Sequence, residues 1–137
     1  MERLILDTGV LVEAARGRLA LDAISDESDP AVPAIVVAEY LVGVHRDSNP
    51  GRSAAKRDFL TKLLSAIPVE DYTVGVAESH AELIASTRSE GKPRGPHDLI
   101  VAATAHATGR TILTTDGRAR FDALPRVSAR VVEVPHR

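Results

Sequence analysis

Short apolar runs alternate along this chain with longer stretches of helical periodicity, and this alternation restricts the fold more than any other feature. Strands are predicted at residues 4–6, 67–69, 111–115 and 131–132. Helices are predicted at residues 10–15, 19–24, 34–43, 54–64, 74–89 and 97–106, the third after a brief extended piece that contains two prolines. Strands separated by helices pair through right-handed crossovers, which predicts a parallel sheet between helix layers.

Length and composition predict a single domain over residues 1–137. A chain of 137 residues that is 44% hydrophobic is long enough to close one core and too short for two. No cysteine is present, which excludes disulfides and thiolate zinc sites. The first apolar run ends at a carboxylate after three residues, too early for a signal peptide or a membrane span. We therefore expect a cytoplasmic protein that does not bind membranes.

Composition alone argues against a nucleic-acid ligand. The formal net charge is −2, so the whole chain carries no basic excess that would attract phosphates. Aromatic residues make up 3% of the sequence and are scattered, so no platform for base stacking is present. The function must therefore be inferred from particular residues and their spacing.

Two carboxylates directly follow predicted strands. Asp7 ends the first run, and Asp116 follows the run at residues 111–115. Open α/β sheets bind their ligands at the carboxyl ends of the strands, so both positions suit a functional site. Aspartate is also a favoured N-cap residue, and capping of the following helix explains either residue taken alone.

Two further carboxylates lie in predicted helices. Glu39 stands in the apolar stretch at residues 34–44, where a lone carboxylate is costly unless it is paired or binds a cation. A place at the edge of the apolar stripe, reaching water, is the other interpretation. Asp98 falls in the first helical turn after the Gly/Pro-rich loop at residues 91–96, where the helix dipole alone favours an acid.

Taken as a group, the four carboxylates favour a metal site. Two carboxylates about 4 Å apart repel by about 4 kcal/mol at an effective dielectric constant of 20. Four of them at one edge of a sheet therefore require bound cations. With no cysteine in the chain the ligands are oxygen atoms, which favours Mg²⁺ or Mn²⁺.

Four segments, each containing one of these acids, resemble the motifs of PIN-domain ribonucleases. They are Leu-Asp-Thr-Gly-Val-Leu-Val at 6–12, Val-Ala-Glu-Tyr-Leu-Val-Gly at 37–43, Pro-His-Asp-Leu-Ile-Val-Ala-Ala-Thr-Ala at 96–105 and Ile-Leu-Thr-Thr-Asp at 112–116. The segments occur in the family's order, and the likeness extends from residue 4 to about residue 134. Within the family the chain most resembles the VapC type, the toxin half of a bacterial toxin–antitoxin pair.

The resemblance implies both a fold and a reaction. The fold is a three-layer α/β/α arrangement with a central, mostly parallel sheet of about five short strands. The family's catalytic and metal-binding acids fall on Asp7, Glu39, Asp98 and Asp116. These would bind Mg²⁺ or Mn²⁺, with the first and third as direct ligands. A metal-activated water would hydrolyse the RNA phosphodiester and leave a 5′-phosphate.

The resemblance also implies partners. A VapC-type toxin acts on RNA, forms a homodimer and is held inactive by a VapB-type antitoxin. Such antitoxins occupy apolar grooves between helices and direct an arginine toward the acidic pocket. The helices near residues 10–24 and 34–44 are the candidate walls of such a groove.

The motifs also contain two departures from the family pattern and one hydroxyl that agrees with it. Thr114 matches a frequent hydroxyl two places before the last acid, and strand periodicity puts it on the same face as that acid, which suits a supporting role. A threonine chosen for strand propensity is the simpler interpretation. Gly9 replaces the usual asparagine, and Arg120 replaces an acid that often precedes the phenylalanine. A fifth acidic ligand is therefore doubtful, and surface helix is the expected place of Asp122.

Two other classes of protein compete with this interpretation. Leu-Asp-Thr-Gly at residues 6–9 also matches the motif of aspartic proteases of the retroviral type. That fold is all-β, whereas the periodic stretches here predict helices. The other alternative is a non-catalytic metal-binding regulatory domain, either a degenerate PIN domain or a receiver-like domain. Receiver-like domains need a lysine late in the chain, and none follows Lys92.

The remaining charged residues are assigned to the surface or to the RNA path. The histidines show no ligand spacing, and His97 is interpreted as a helix-start residue; the five are His45, His80, His97, His106 and His136. Basic residues flank the last two acidic motifs and are candidates for an RNA path: Arg88, Lys92, Arg94, Arg110, Arg118 and Arg120. With the four acids neutralised by cations, the net charge of −2 becomes +2 for the rest of the chain.

Overall fold

Five parallel strands form one sheet in this computed structural model, which describes residues 1–91 and 94–134. The strands are β1 (Glu2–Leu6), β2 (Ser28–Pro33), β3 (Val69–Glu70), β4 (Thr111–Thr114) and β5 (Ala129–Val131), in the sheet order β3-β2-β1-β4-β5. The helices are α1 (Thr8–Ala15), α2 (Leu21–Glu27), α3 (Ala34–Arg46), α4 (Pro50–Ala66), α5 (Val74–Ser89) and α6 (Pro96–Thr108). Two 3₁₀ turns, η1 (Gly117–Ala119) and η2 (Phe121–Ala123), follow β4. The predicted α/β class with a parallel sheet of about five strands is confirmed.

The central strand is β1, which pairs with β2 on one side and β4 on the other. Its last three residues, Leu4 to Leu6, are completely buried, because helices cover both faces of the sheet. The chain builds β2 and β3 on one side of β1 and then crosses back to build β4 and β5 on the other. The carboxyl ends of β1 and β4 therefore flank the point where the strand order reverses, which is where open α/β sheets bind ligands.

A full strand, β2, replaces the brief extended piece predicted before α3. The prolines at 30 and 33 suggest a break in the chain, because proline cannot donate to a sheet. The Val32 amide donates to the Pro68 carbonyl on the β3 side (2.9 Å), and Pro30 faces the same side, since alternate residues of a strand do. The two-residue strand β3 begins opposite Val32, so no bond is lost at Pro30.

Helices α3 and α6 bring side chains to the carboxyl edge of the sheet. Helix α3 starts directly where β2 ends, so its first turns lie at this edge. Helix α6 begins at Pro96 and packs against α5, β1 and β4 through small buried residues such as Ala102 and Ala103. It ends at Gly109, whose left-handed conformation (φ +66°) closes the helix as the sequence predicts. Across the described ranges no helix is long and apolar enough to span a bilayer.

The structure moves Arg110 from the predicted RNA path into the core. It lies at the start of β4, away from the carboxyl edge, and its side chain is only 5% exposed. Its guanidinium donates to the backbone carbonyls of Leu4 (3.2 Å) and Asp29 (2.7 Å), and lies 3.5 Å from the Glu70 carboxylate. Arg110 therefore connects β1, β2 and β3 away from the carboxyl edge, and it does not contact a ligand at that edge.

Gly9, the departure from the family motif, has a steric cause. It is the second residue of α1, and a Cβ atom placed there would lie 2.1 Å from the Thr115 hydroxyl oxygen. The Thr115 hydroxyl thus occupies the space that a side chain at position 9 would need. Here α1 approaches the segment after β4 closely, and only glycine permits that approach without moving Thr115.

This contact predicts that the effect of Gly9→Ala on the free energy of unfolding depends on Thr115, which a double-mutant cycle can test. Gly9→Ala in the wild-type chain should lower the free energy of unfolding by about 1–3 kcal/mol, the usual effect of overpacking. In a Thr115→Ala background the same change should be neutral or stabilising, because alanine favours helix over glycine by up to about 1 kcal/mol. Urea unfolding of the four proteins measures both effects.

The control for this cycle is Gly75→Ala. Gly75 is also the second residue of its helix, α5, but a Cβ there would lie at an ordinary 3.6 Å from the Thr73 hydroxyl. This variant should be at least as stable as the wild type. Equal effects of Gly9→Ala in both backgrounds would show that the hydroxyl contact does not explain Gly9.

Candidate active site

Asp7 sits where β1 ends, and it serves two neighbouring elements. One carboxylate oxygen accepts the Thr8 amide at the start of α1 (2.8 Å), and the other accepts the Thr114 hydroxyl from β4 (2.9 Å). Burial raises the pKa of Asp7 above its ordinary value. These two hydrogen bonds oppose the rise, and the charges of Glu39 and Asp116 add to it. Asp7 is therefore both a helix cap and a half-buried carboxylate within the electrostatic range of two others.

Thr114 links the first and last acidic motifs. It is 1% exposed, and its hydroxyl donates to Asp7 while accepting the Asp116 backbone amide (3.0 Å). One hydroxyl therefore fixes the side chain of one acid and the backbone of another. This geometry follows from the predicted shared face of Thr114 and Asp116, and it explains the hydroxyl better than strand propensity does.

Glu39 extends from α3 toward the same edge, and each of its carboxylate oxygens has a neighbour. The Thr8 hydroxyl donates to Oε1 (3.1 Å), and the His97 Nδ1 atom lies 3.4 Å from Oε2. The His97 contact was missed by the sequence interpretation, which treated this residue only as the start of a helix. The available signal was its position beside Asp98 in the turn that faces the sheet edge.

Asp98, in the first turn of α6, is half-buried and surrounded by negative charge. Burial raises its pKa, and the charges of Asp7, Glu39 and Asp116 raise it further, while Arg94 opposes them. The helix dipole alone does not account for this environment. At the carboxyl edge of the sheet, the charges of Asp7, Glu39 and Asp116 thus influence Asp98, and those of Glu39 and Asp116 also influence Asp7.

Asp116 is the most exposed of the four acids. Its Oδ1 atom accepts the Arg118 amide (2.9 Å) and caps the short turn η1, which is the capping role expected for one such residue. Beyond it, Asp122 lies in η2, where it is two-thirds exposed and 3.5 Å from Arg120. Asp122 is therefore a surface residue, as the sequence predicts.

The donors at this edge suit a hard divalent cation. All are carboxylate and hydroxyl oxygens, the ligand type that Mg²⁺ and Mn²⁺ prefer. Burial is the main reason why the pKa values of Asp7 and Asp98 are raised, neighbouring carboxylates add to both shifts, and a bound cation would oppose them. As the side chains stand in the described ranges, no three His, Cys, Asp or Glu residues are close enough to enclose an ion.

The other predicted surface residues are distributed as follows. His80 contacts the Tyr72 hydroxyl and His106 contacts the Ser79 hydroxyl, both at 2.8 Å and away from the acids. His45, Arg88, Arg118 and Arg120 are exposed. Lys92 and His136 lie outside the described residues.

An apolar groove of about 510 Å³ runs beside the acids. Its lining comes from α1, α3 and α4, and it includes Val12, Tyr40, Gly43 and Phe59, with Glu39 at the acidic side. The predicted walls were the helices near residues 10–24 and 34–44; α4 forms the third wall, while α2 does not line the groove. Arg16, Arg52 and Lys56 also line it; Arg52 and Lys56 are both paired with Asp47 (2.6 and 2.9 Å), and Arg16 lies 3.7 Å from Glu13.

Comparison with known proteins agrees with this fold and site. The PIN domain family model matches residues 4–127. A ribonuclease VapC of Rickettsia bellii is 27% identical over 132 residues, which cover 96% of each chain. The toxin–antitoxin complex VapBC2 of Rickettsia felis contains a chain that superposes with a TM-score of 0.83 at 22% identity, over 96% of this chain and 99% of that one. A chain of VapBC from Salmonella typhimurium superposes with a TM-score of 0.81 at 21% identity, over 96% of this chain and 98% of that one.

These matches confirm the resemblance drawn from the four motifs and exclude the aspartic protease fold, which is all-β. The matched region includes all four acids and both strands whose carboxyl ends carry Asp7 and Asp116. On the match over residues 4–127 and the parallel five-stranded fold, this chain belongs to the PIN domain family.

Proposed function

We propose that this protein is a Mg²⁺- or Mn²⁺-dependent endoribonuclease and the toxin of a VapBC-type toxin–antitoxin pair. The observation that carries the proposal is that Asp7, Glu39, Asp98 and Asp116 lie near one sheet edge, where burial, and then the charges of Glu39 and Asp116, raise the pKa of both Asp7 and Asp98. Relatives named ribonuclease VapC support RNA as the substrate class.

The surroundings of the four acids suggest which of them bind the cation directly and which complete its shell. Asp7 and Asp98, the two whose pKa is raised by burial, would hold the cation directly, and Glu39 and Asp116 would complete its shell directly or through water. When bound, the cation lowers the pKa of a coordinated water and stabilises the charged transition state. Either Glu39 or Asp116 would take a proton from the attacking water, and in-line attack would leave a 5′-phosphate.

The surrounding hydroxyls and the imidazole orient the acids. Thr114 holds Asp7 from β4, and Thr8 holds Glu39 from the first residue of α1. His97 lies at the second oxygen of Glu39 and limits its rotation. Positions fixed in this way before substrate binds need no reorganisation during the reaction.

The first prediction concerns nuclease activity. Asp7→Asn and Asp98→Asn should each lower RNA cleavage with Mg²⁺ or Mn²⁺ by more than about 100-fold, since even groups that only support metal ligands contribute about 10- to 100-fold. Cleavage of a fluorescent RNA by the purified protein measures this. The matched control is Asp122→Asn, which removes an exposed carboxylate from the same region and should leave the rate unchanged. Equal, metal-independent rates in the wild type and both site variants would refute the ribonuclease proposal.

The second prediction concerns stability without metal. The pKa of Asp98 is raised in the folded protein, so folding disfavours its charged form. The resulting penalty grows as pH rises from the ordinary aspartate pKa through the raised one, and it is fully present above the raised pKa. Asp98→Asn should therefore raise the melting temperature at pH 7 in EDTA and remove part of the pH dependence.

Adding metal should reverse this order. Millimolar Mn²⁺ should raise the melting temperature of the wild type and have a smaller effect on Asp98→Asn, because a ligand stabilises only the state that binds it. The same increase in both proteins would show that Asp98 is not a ligand. Wild-type binding of Mn²⁺ without any RNA cleavage would favour the non-catalytic regulatory alternative.

The groove beside Glu39 is the proposed site of a VapB-type antitoxin. Its apolar lining suits the buried face of an inserted segment. The carboxylate of Glu39 at the acidic side suits an arginine directed toward the active site. Several structural neighbours are VapBC complexes, which supports this kind of partner; a homodimer of the toxin remains a prediction, testable by light scattering.

The third prediction concerns inhibition through this groove. Gly43 lines it, and a Cβ atom added at this position would meet no other atom within 4 Å, so Gly43→Leu should fill the groove without disturbing α3. The variant should keep its RNA cleavage but need at least about tenfold more antitoxin for half inhibition, a loss of about 1.4 kcal/mol of binding energy. The antitoxin used is the protein of the neighbouring reading frame. Val42→Leu, an exposed neighbour outside the groove, is the control, and equal inhibition of both variants would place the partner elsewhere.

A further inference from the structure

The segment after β4 carries Asp116 and would need support to keep its shape. It consists of the two short turns η1 and η2, joined at Arg120, whose backbone is left-handed (φ +48°, ψ +47°). A non-glycine residue adopts this conformation at a cost of about 1–3 kcal/mol unless its surroundings hold it there. Phe121, which is 2% exposed, anchors the second turn in the core, but the first turn lies at the surface.

Arg94 supplies the missing support. It precedes α6, and its Nη1 atom donates to the backbone carbonyl of Arg120 (3.0 Å) and to that of Ala119. These two carbonyls lie on either side of the left-handed residue's own backbone. One guanidinium nitrogen therefore binds the segment at the point where its backbone is strained.

The two sides of this contact each carry an acid of the site. Asp98 is four residues after Arg94, in the first turn of α6, and Asp116 is three and four residues before the two carbonyls. The Asp116 amide is already fixed at Thr114 (3.0 Å). The segment is thus held at Thr114 on one side and at Arg94 on the other, and the second attachment joins it to the region of the chain that presents Asp98.

These contacts separate Arg94 from the other basic residues near the acids. Arg118 and Arg120 extend exposed side chains, as expected of residues on an RNA path. Arg94 is half-buried, and one of its nitrogens is committed to two carbonyls of the protein itself. A positioning role fits these contacts better than a contact with RNA.

We propose that Arg94 is a positioning residue for the ribonuclease reaction: it holds the segment 116–123 against the start of α6, so that Asp116 stays in register with Asp98. This inference rests on the proposed function. Misplacement of a catalytic group by about 1 Å can lower a rate about 100-fold. A lost RNA contact would instead weaken substrate binding.

The first experiment separates these effects by steady-state kinetics. Arg94→Met keeps much of the side-chain length but removes the donors, and it should lower kcat by about 10- to 100-fold with little change in KM. Arg57→Met, which removes an exposed arginine from α4 outside the proposed site and the groove, controls for the loss of one positive charge. A raised KM with an unchanged kcat, or equal effects of both variants, would overturn the proposal.

The second experiment tests the strain at Arg120 directly. Glycine adopts the left-handed conformation freely, so Arg120→Gly should make the segment less dependent on Arg94. The double variant Arg94→Met/Arg120→Gly should therefore recover at least part of the lost kcat. Arg94→Met/Arg120→Ala loses the same charge but keeps the strain, and it should recover nothing. Equal kcat values for the two double variants would contradict the proposed role.

Hydrogen exchange gives a readout that does not depend on activity. In Arg94→Met the amides of residues 117–124 should exchange faster, while those of β1 and β4 stay as in the wild type. Unchanged exchange in this segment would refute the proposal even if no nuclease activity were found. An inactive wild type, with Asp98→Asn indistinguishable from it, would refute the proposed function instead and leave the exchange result interpretable.

Discussion

The repulsion among negative charges at the carboxyl edge of the sheet is the constraint on which the rest of the site depends. Burial and neighbouring charge raise the pKa of both Asp7 and Asp98, so the fold holds these groups against an unfavourable interaction. Neutral hydrogen-bond donors hold two of the four acids: Thr8 binds Asp7 and Glu39, and Thr114 binds Asp7, without neutralising the carboxylates. The negative potential is thereby kept available for a cation.

The attachments of the acids are distributed over separate elements. Asp7 caps α1 and Asp116 caps η1, so each acid also stabilises the element that follows it. Capping and function are therefore compatible at these positions, although the sequence presents them as alternatives. The segment that carries Asp116 is the least deeply anchored part, and this explains why an arginine from outside it contributes to its shape.

The sequence is sufficient for the fold class, and it singles out the four acids on which the proposed site is built. Apolar runs followed by carboxylates specify where parallel strands end, and parallel strands bring their carboxyl ends to one edge. The motifs supplied Glu39 and Asp98, which local pattern alone would leave as an edge residue and a helix-dipole residue. Both inferences used interactions that are local in the chain or fixed by topology.

The remaining features depend on contacts between distant parts of the chain. Arg110 and Arg94 both lie near acidic motifs in the sequence. Arg110 nevertheless binds backbone carbonyls away from the carboxyl edge, whereas Arg94 binds the strained turn at Arg120. The sequence predicts only a brief extended piece where the structure has strand β2. A proline weakens a strand only where its missing amide would otherwise donate to a neighbouring strand, and the sequence does not show which strand lies beside it. The contact between His97 and Glu39 joins α6 and α3 through two residues that are 58 positions apart in the sequence.

The place of the groove links two binding events. Because it reaches Glu39, an arginine or lysine of the proposed partner that pairs with this carboxylate would compete with the proposed metal for the same negative charge. By thermodynamic reciprocity, the factor by which the metal weakens the partner is also the factor by which the partner weakens the metal. The divalent ion concentration would then set the threshold at which inhibition is released, with no change in the amount of either protein.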